Sequence, residues 1–409
     1  MKILYSIGIF FYNLLITFAS GFNSKAKFRY KGVKSTFEIL KSLNLKNVIW
    51  IHCASLGEFE QGRPLIEKIK QKYPNYQTAL SFFSPSGYEI RKDYESADVV
   101  FYLPADTKRN AERLIALLNP KIVFFVKYEF WYWYLHELKN QKVPAYLISG
   151  IFRKNQIFFK FYGAFFRNIL KNFTHLFVQN RNSVDLLKQA GIQNVSITGD
   201  TRFDRVFEIA QNKKQFNTVE KFISDKFVLI AGSTWKPDED ILFNVINTQK
   251  DKTLKFIIVP HEIKNENIKR ILTLSNTEII RYSECNIDNV TDANVMIIDN
   301  IGMLSSLYAY ADVAYIGGGF GSGIHNTLEA AVYGIPVIFG PRYNKFDEAK
   351  ELIKRKAGFS ISDTNEFSKL FHKFIQDSDF RIRCGENAEK YINENIGASE
   401  KILKAVKLL

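Results

Sequence analysis

A chain of 409 residues with 46% hydrophobic and 24% charged residues is too long for one compact core and too apolar for disorder, so two globular domains are expected. The formal charge of +14 points to an anionic partner, with nucleic acid, an acidic membrane surface and a phosphorylated substrate all open. Three cysteines far apart, Cys53, Cys285 and Cys384, exclude a disulfide framework or a CxxC zinc site and fit a reducing compartment.

Residues 1–24 open the chain with an apolar run; no charge occurs from Ile3 to Ser24, and the run is long enough to anchor in or cross a bilayer. Lys25, Lys27, Arg29, Lys31 and Lys34 follow, against Lys2 alone in front, which by the positive-inside rule keeps the remainder in the cytoplasm. A cleaved signal peptide is the competing reading, with Ala19-Ser20-Gly21 near the cleavage point, but the basic cluster lies on the wrong side for an exported protein.

Beyond residue 45, short β-branched and aromatic runs alternate with amphipathic segments. Strands are expected at Val48–His52, Thr78–Phe83, Val99–Leu103, Ile122–Val126, Ala145–Ile148, Leu176–Gln179 and Val195–Thr198. Helical spacing lies between them, as in Leu65-Ile66-Ile69 and in Ala111–Leu118, closed by Asn119-Pro120. Around Phe203–Asp225 apolar density falls and a connection is expected. The alternation restarts with Phe227–Ala231, Phe256–Val259, Val295–Ile298, Val313–Ile316, Pro336–Phe339 and Gly358–Ile361. Strand–helix–strand repetition implies parallel, doubly wound sheets: an α/β chain of two Rossmann-like domains, 25–210 and 211–385, with a C-terminal helix, 386–409, that can pack back on the first. Ligands of such folds bind at the C-terminal ends of strands, here expected to face a shared crevice.

Motifs at those ends therefore carry the most weight. In Trp50-Ile-His-Cys-Ala-Ser-Leu-Gly-Glu-Phe-Glu-Gln61 a buried strand runs into a helix, with Ser55 and Gly57 permitting the turn and Glu58 at the junction. Two readings of Glu58 stand: a proton acceptor kept ionised by the helix dipole, or an ordinary N-terminal helix charge. Ile157–Arg167 is aromatic with interleaved cations, fitting either a lipid-facing surface or a buried helix. Ser233 and Thr234 are phosphate-grade donors and equally good caps. Asp238-Glu-Asp240 has the form of a metal-binding Asp-x-Asp but is more simply an acidic first helical turn. His261, after the next strand, can bond a base or phosphate, or be structural. Gly317, Gly318, Gly319, Gly321 and Gly323 precede a helix expected to start near His325–Asn326. The glycines suit an anion cradle and Glu329 a ribose diol, against the alternative of a plain turn. No G-x-G-x-x-G, no G-K-[ST] and no RRM, KH or helix-turn-helix signature occurs, so neither a dinucleotide nor nucleic acid is expected.

Taken together, His52-x-Ala54-Ser55-x-Gly57-Glu58, Glu129-x-Trp131, Gly199-Asp-Thr-Arg-Phe-Asp204 and Gly317-Gly318…His325-Asn326-x-Leu328-Glu329 resemble, in this order, the 3-deoxy-D-manno-octulosonic acid (Kdo) transferase family of lipopolysaccharide synthesis. The resemblance implies a GT-B glycosyltransferase, two Rossmann-like domains and a membrane anchor, moving Kdo from CMP-Kdo to a lipid A precursor with inversion. It makes Glu58 the general base. CMP is then held at Pro260-His261, Ile301-Gly302-Met303 and Asn326-Thr327-Leu328-Glu329, with Ser233, Thr234, Gly318, Gly319 and Arg202 as further substrate contacts. The expected partners are CMP-Kdo, the lipid A precursor and the inner membrane surface. A monophosphate leaving group has little need of a metal, so no metal and no cofactor are expected. The chain departs from the family at His261, where Arg is frequent, at Met303, where Glu is frequent, and at Lys127, where an acid is frequent.

Overall fold

The computed structural model describes residues 1–249, 251, 253–285, 290 and 293–406. It divides into two compact units, Met1–Arg205 with Ile396–Leu409, and Val206–Asn395. The divisions fall at Arg205 and Asn395 rather than at 210 and 385. The expected and the observed boundaries alike fall within or at the end of the helices Thr201–Gln211 and Ser378–Asn395. The drop in apolar density after residue 203 marks a helix with one wet face, not a linker, and a second helix, Asn217–Ile223, fills the rest of the supposed connection. The last three residues of the expected C-terminal helix, 407–409, lie outside the described residues.

Unit 1 is a seven-stranded parallel sheet built from β1 (Val48–Cys53), β2 (Gln77–Phe82), β3 (Val99–Tyr102), β4 (Pro120–Val126), β5 (Ala145–Gly150), β6 (His175–Val178) and β7 (Val195–Ile197), in the order β3-β2-β1-β4-β5-β6-β7. Its central strands are buried on both faces, which is why they read as unbroken apolar runs. In β1, Val48 and Trp50 join one core layer, under helices such as Tyr132–Asn140 and Arg181–Gln189. Ile49, Ile51 and Cys53 join the other, under α3 (Leu56–Lys72). Burial of the sheet-facing α3 residues Phe59, Leu65, Ile66 and Ile69 contributes roughly 1.5–3 kcal/mol each. A Cβ on Gly62 would stand 3.0 Å from Cys53 Sγ, so α3 crosses β1 at a distance only glycine allows comfortably.

Unit 2 is a second seven-stranded parallel sheet, β8 (Phe227–Thr234), β9 (Leu254–Pro260), β10 (Ile279–Arg281), β11 (Val295–Ile297), β12 (Val313–Ile316), β13 (Val337–Phe339) and β14 (Gly358–Ser360), ordered β10-β11-β9-β8-β12-β13-β14. All thirteen expected strands are present to within a few residues. The unexpected one, β10, is a three-residue edge strand, too short to show a period.

Two helices precede β1. The apolar α1 (Lys2–Ala19) meets the length and composition of a membrane span with none of its residues buried. The basic α2 (Ser24–Ser42) turns Ala26, Arg29, Thr36 and Leu40 inward. Arg29 reaches the ends of β2 and β3, donating to the carbonyls of Phe83 and Leu103 with its guanidinium 3.6 Å over the Phe83 ring; burial lowers its pKa to about 10. Near α1, the buried Asp106 carboxylate accepts from the Tyr5 hydroxyl (2.5 Å) and from the backbone N–H groups of Trp133 and Tyr134 (both 3.0 Å). Burial pushes that carboxyl up to about 6.

The chain closes on unit 1 through the helix Ala398–Ala405, whose Ile402 and Leu403 join the α3 core layer. Asp204 holds its start, accepting from Gly397 N (2.5 Å) and Ser399 N (2.7 Å), while Glu400 pairs with Lys68 and Lys72. Because these two hydrogen bonds to a charged, buried group have no substitute, Asp204→Ala should destabilise unit 1 by about 2–4 kcal/mol. The measurement is the urea midpoint of its unfolding, with Asp204→Asn falling between the two.

Candidate functional site

In each sheet the chain leaves the first strand to one side and later returns to build the other side, so the switch point lies beside β1 and β4 in unit 1 and beside β8 and β12 in unit 2. Crevices at such points, at the carboxyl ends of the strands, bind ligands in this architecture. Most of the candidate residues lie near these two places, with Arg202 beyond β7 and Ile301–Met303 after β11.

At the β1/β4 point, Ser55 is the N-cap of α3 and Glu58 is the acid of its first turn. Their spacing would allow a reciprocal capping box. Instead the Ser55 hydroxyl donates to Glu58 Oε2, leaving the half-buried carboxylate fixed by a side chain rather than consumed by the backbone. Gly57 is exposed and is not required by the turn: a Cβ there would meet nothing closer than Ser55 Oγ at 3.8 Å. Its glycine keeps space open beside Glu58.

Near Glu58 lies a buried polar chain that links motif residues of no assigned role. Trp50 Nε1–H donates to Ser81 Oγ (2.8 Å), Ser81 Oγ meets His52 Nδ1 (2.8 Å), and His52 Nε2 meets Glu129 Oε2 (2.9 Å). The same oxygen accepts from Trp131 Nε1–H (2.6 Å). Each ring nitrogen of His52 thus has a partner, Nδ1 in Ser81 and Nε2 in Glu129. The chain binds the ends of β1, β2 and β4 into one rigid floor. Lys127, at φ +68, turns the backbone out of β4 and donates its N–H to Ile148 O. The buried Cys53 thiol is pushed well up, first by burial and then by the charges of Glu58 and Glu129.

Arg202 belongs to unit 1 but lies beyond β7, at the start of the helix Thr201–Gln211, ion-paired with Asp200 at 2.7 Å. Its motif braces α3: Thr201 Oγ1 donates to Gln61 O (2.5 Å), one turn after Glu58.

In unit 2, Ser233, Thr234, Pro260, His261, Gly318 and Gly319 come together at the ends of β8, β9 and β12. Thr234 is buried and its hydroxyl donates to Glu239 (2.9 Å), so it is a structural group and not an exposed donor. Asp238 accepts from Trp235 N, Gly318 N and the Tyr315 hydroxyl, and Asp240 pairs with Lys236. The acidic triplet is thus engaged within the fold, Asp238 with the glycine loop, Glu239 with Arg270 and Asp240 with Lys236.

That loop differs from the expected cradle. The N–H groups of Gly317, Gly318, Gly321 and Gly323 are taken by Gly232 O, Asp238 and, for the last two, Gly318 O. Gly317, Gly318 and Gly319 answer to crowding, since a Cβ on Gly317 would lie 2.2 Å from Ser233 O and one on Gly319 2.6 Å from Gly340. The helix expected from His325–Asn326 is a single turn, Leu328–Ala331, ended by Gly334 at φ +65 and Pro336, and has too few peptides for a strong dipole. Asn326 caps it, accepting from Leu328 N (3.2 Å) and donating to Glu329 Oε1 (3.0 Å). Thr327 and Leu328 are buried. After β11, Gly302 at φ +86 turns the chain so that Ile301 is 87% exposed while Met303 is buried.

A residue outside the expected set completes this half. Trp235 stacks on His261, and His261 on His325, each at 4.6 Å between ring centres, and Trp235 Nε1–H donates to His325 Nε2 (3.0 Å). Its position at the exit of β8 was the available signal. Burial first, and the neighbouring His261 second, lower His325 to about 4 from 6.5, so the ring is a neutral acceptor at pH 7. The pairing therefore contributes stability above pH ~6.5 that is lost as pH falls through about 4. The Trp235 indole N–H resonance should shift with a midpoint near pH 4, and not at all in His325→Leu.

Residues 29–205 match the family model of 3-deoxy-D-manno-octulosonic-acid transferase (kdotransferase). A bifunctional glycosyltransferase/methyltransferase of Fusobacterium nucleatum is 26% identical over 91% of this chain and 59% of its own length, so the chain spans about three-fifths of that relative. The 3-deoxy-D-manno-octulosonic acid transferase of Aquifex aeolicus is 28% identical over 81% of this chain and 88% of its own. Among solved structures, a putative UDP-N-acetylglucosamine 2-epimerase from Listeria monocytogenes aligns with a TM-score of 0.62 at 12% identity, covering 88% of this chain and 96% of that one. At that identity it speaks for the fold alone, the two-Rossmann GT-B type. With the family model on residues 29–205 and relatives of 24% and 28% identity aligned across both units, the chain is similar to the Kdo transferases.

Proposed function

We propose that the chain transfers Kdo from CMP-Kdo to the lipid A precursor, lipid IVA, with inversion at the anomeric carbon, on the cytoplasmic side of the inner membrane. The observation that carries this reading is Glu58, a carboxylate fixed by Ser55 at the β1/β4 switch point with open space over Gly57. Glu58 takes the proton of the acceptor hydroxyl as its oxygen attacks the anomeric carbon; the bond to the CMP phosphate breaks, and CMP leaves with the electron pair. A base held by a second side chain loses little freedom at the moment of reaction. The buried His52–Glu129–Trp131 chain fixes the floor beneath it.

The donor falls to unit 2, with the backbone around Pro260-His261 and Ile301-Gly302, the half-buried Ser233, and the Asn326–Glu329 pair as its contacts. Glu329, steadied by Asn326, suits the ribose diol. His261 is stacked into the Trp235–His325 array, which fits a flat base or phosphate edge better than the long reach of an arginine. The basic balance of the chain and its apolar α1 fit a phosphorylated lipid acceptor in an anionic membrane.

A transferase or epimerase using a UDP-sugar shares the fold, and an exported two-lobed binding protein would share the sheets. CMP release from CMP-Kdo, without UDP release from UDP-sugars, separates the first; mass spectrometry of a bisphosphorylated, tetraacylated disaccharide acceptor reports the number of Kdo residues gained. An intact residue 1–24 segment in the mature chain excludes the second. Glu58→Ala and Glu58→Gln should each lower the transfer rate by about 10²–10⁴-fold with CMP-Kdo affinity nearly unchanged. A variant keeping most of its rate would reduce Glu58 to a structural helix charge.

A further inference from the structure

The apolar helix α1 has two opposite stripes. Ile3, Ile7, Phe11, Leu14 and Phe18 repeat at helical spacing and are all exposed. At about 100° per residue, Tyr5, Ile9, Tyr12 and Ile16 fall on the other side, and it is this side that meets unit 1. Tyr5 donates to Asp106 and packs edge-on to Tyr132, 5.7 Å between ring centres. The next residue, Ser6, accepts from Trp133 Nε1–H at 3.1 Å. Two turns further on, Tyr12 stacks on Phe83, whose other neighbours are Trp131 and the Arg29 guanidinium.

Contacts spread from Tyr5 to Tyr12 decide the geometry. An 18-residue helix is about 27 Å long, barely the hydrocarbon thickness of about 30 Å, so a spanning α1 would place Tyr5 to Tyr12 inside the bilayer. Their partners on the strand-end loops of unit 1 would have to follow, including the Asp106 carboxylate and open backbone, which hydrocarbon does not accept. Docking along unit 1 and crossing the membrane are mutually exclusive. Alongside, α2 exposes Lys27, Lys31 and Lys34 on one face with Phe28 among them. Phe161 (93% exposed) and Tyr162 (59%) lie in the segment whose Phe165 packs 5.8 Å from Tyr5. Apolar groups beside lysines are the composition of a surface that lies in an anionic lipid interface.

Resting on the reading of the chain as a membrane-associated transferase, we infer that α1 does not cross the bilayer: it lies flat along unit 1 in the membrane interface, clamped by Tyr5, Ser6 and Tyr12, with the Ile3–Phe18 stripe in the acyl region and the α2 lysines at anionic headgroups.

The test uses the full-length chain with Cys285→Ser and a nitroxide placed singly at Ile3, Ile7, Phe11 and Phe18, bound to vesicles of phosphatidylethanolamine and phosphatidylglycerol. Oxygen and nickel-chelate relaxation should report a common shallow depth at all four positions. A profile that deepens to the middle of α1 and returns to water at one end would overturn the inference, since Ile3 and Phe18 lie about 22 Å apart along the axis. Tyr5→Phe combined with Ser6→Ala should raise nitroxide mobility at Ile3 several-fold, and an unchanged mobility would remove the clamp from the account. Partition into phosphatidylcholine vesicles should be at least tenfold weaker; equal partition would refute the headgroup contact. None of these readouts uses CMP-Kdo, so flat labels on a chain that transfers no Kdo would sink the functional reading alone, and a spanning profile on an active transferase would sink this inference alone.

Discussion

Parallel pairing is the constraint from which the remaining features follow. Strands that all run the same way deliver every loop that follows them to one edge of the sheet, and the return of the chain to the far side opens a gap there. In unit 1 that gap lies between the exits of β1 and β4, and in unit 2 between those of β8 and β12. The polar side chains that matter stand at these exits because nowhere else on a sheet buried on both faces can a polar group be presented to a ligand. His52 shows the cost of the exception: a histidine inside β1 is fully buried and needs a partner on each ring nitrogen, and Ser81 and Glu129 supply them.

Much of the fold was legible because the strands are fully buried and appear as apolar runs between polar loops. The limits of that legibility are physical. β10 has three residues at a sheet edge and leaves no periodic trace. The segment Ile157–Arg167 was open between core and surface and proves to be both, with Phe158 buried and Phe161 and Tyr162 outside. Glycines look the same in sequence whether they admit a ligand or another strand end, and at Gly317 the neighbour is a strand end, Ser233.

For the candidate site the sequence located Glu58 but left it even between a base and a helix charge. The bond from Ser55 is a local contact, three residues along at the start of α3, that holds the carboxylate by a side chain where an S-x-x-E spacing by itself suggests capping. Trp235 escaped notice since its value lies in stacking with His261 and His325, residues 26 and 90 positions away in the chain. Thr234, by contrast, looked like a ligand donor and is a strut. The glycine loop of unit 2 is thus more internally paired than its motif suggests.

The Asp204 cap has a consequence for biosynthesis. Unit 1 contains the first half of the chain and also its last helix, so everything from Val206 to Asn395 is made before Ala398–Ala405 appears. At ~5–20 residues per second, that wait lasts on the order of tens of seconds. Throughout it the sheet of unit 1 can assemble, but the apolar ground that Ile402 and Leu403 later cover stays bare, and Asp204 lacks both of its N–H donors. A nascent chain in this state carries an apolar, vacant seat on the α3 face of its sheet. Early delivery to the lipid surface, or a chaperone on that seat, would protect it until the C-terminus arrives.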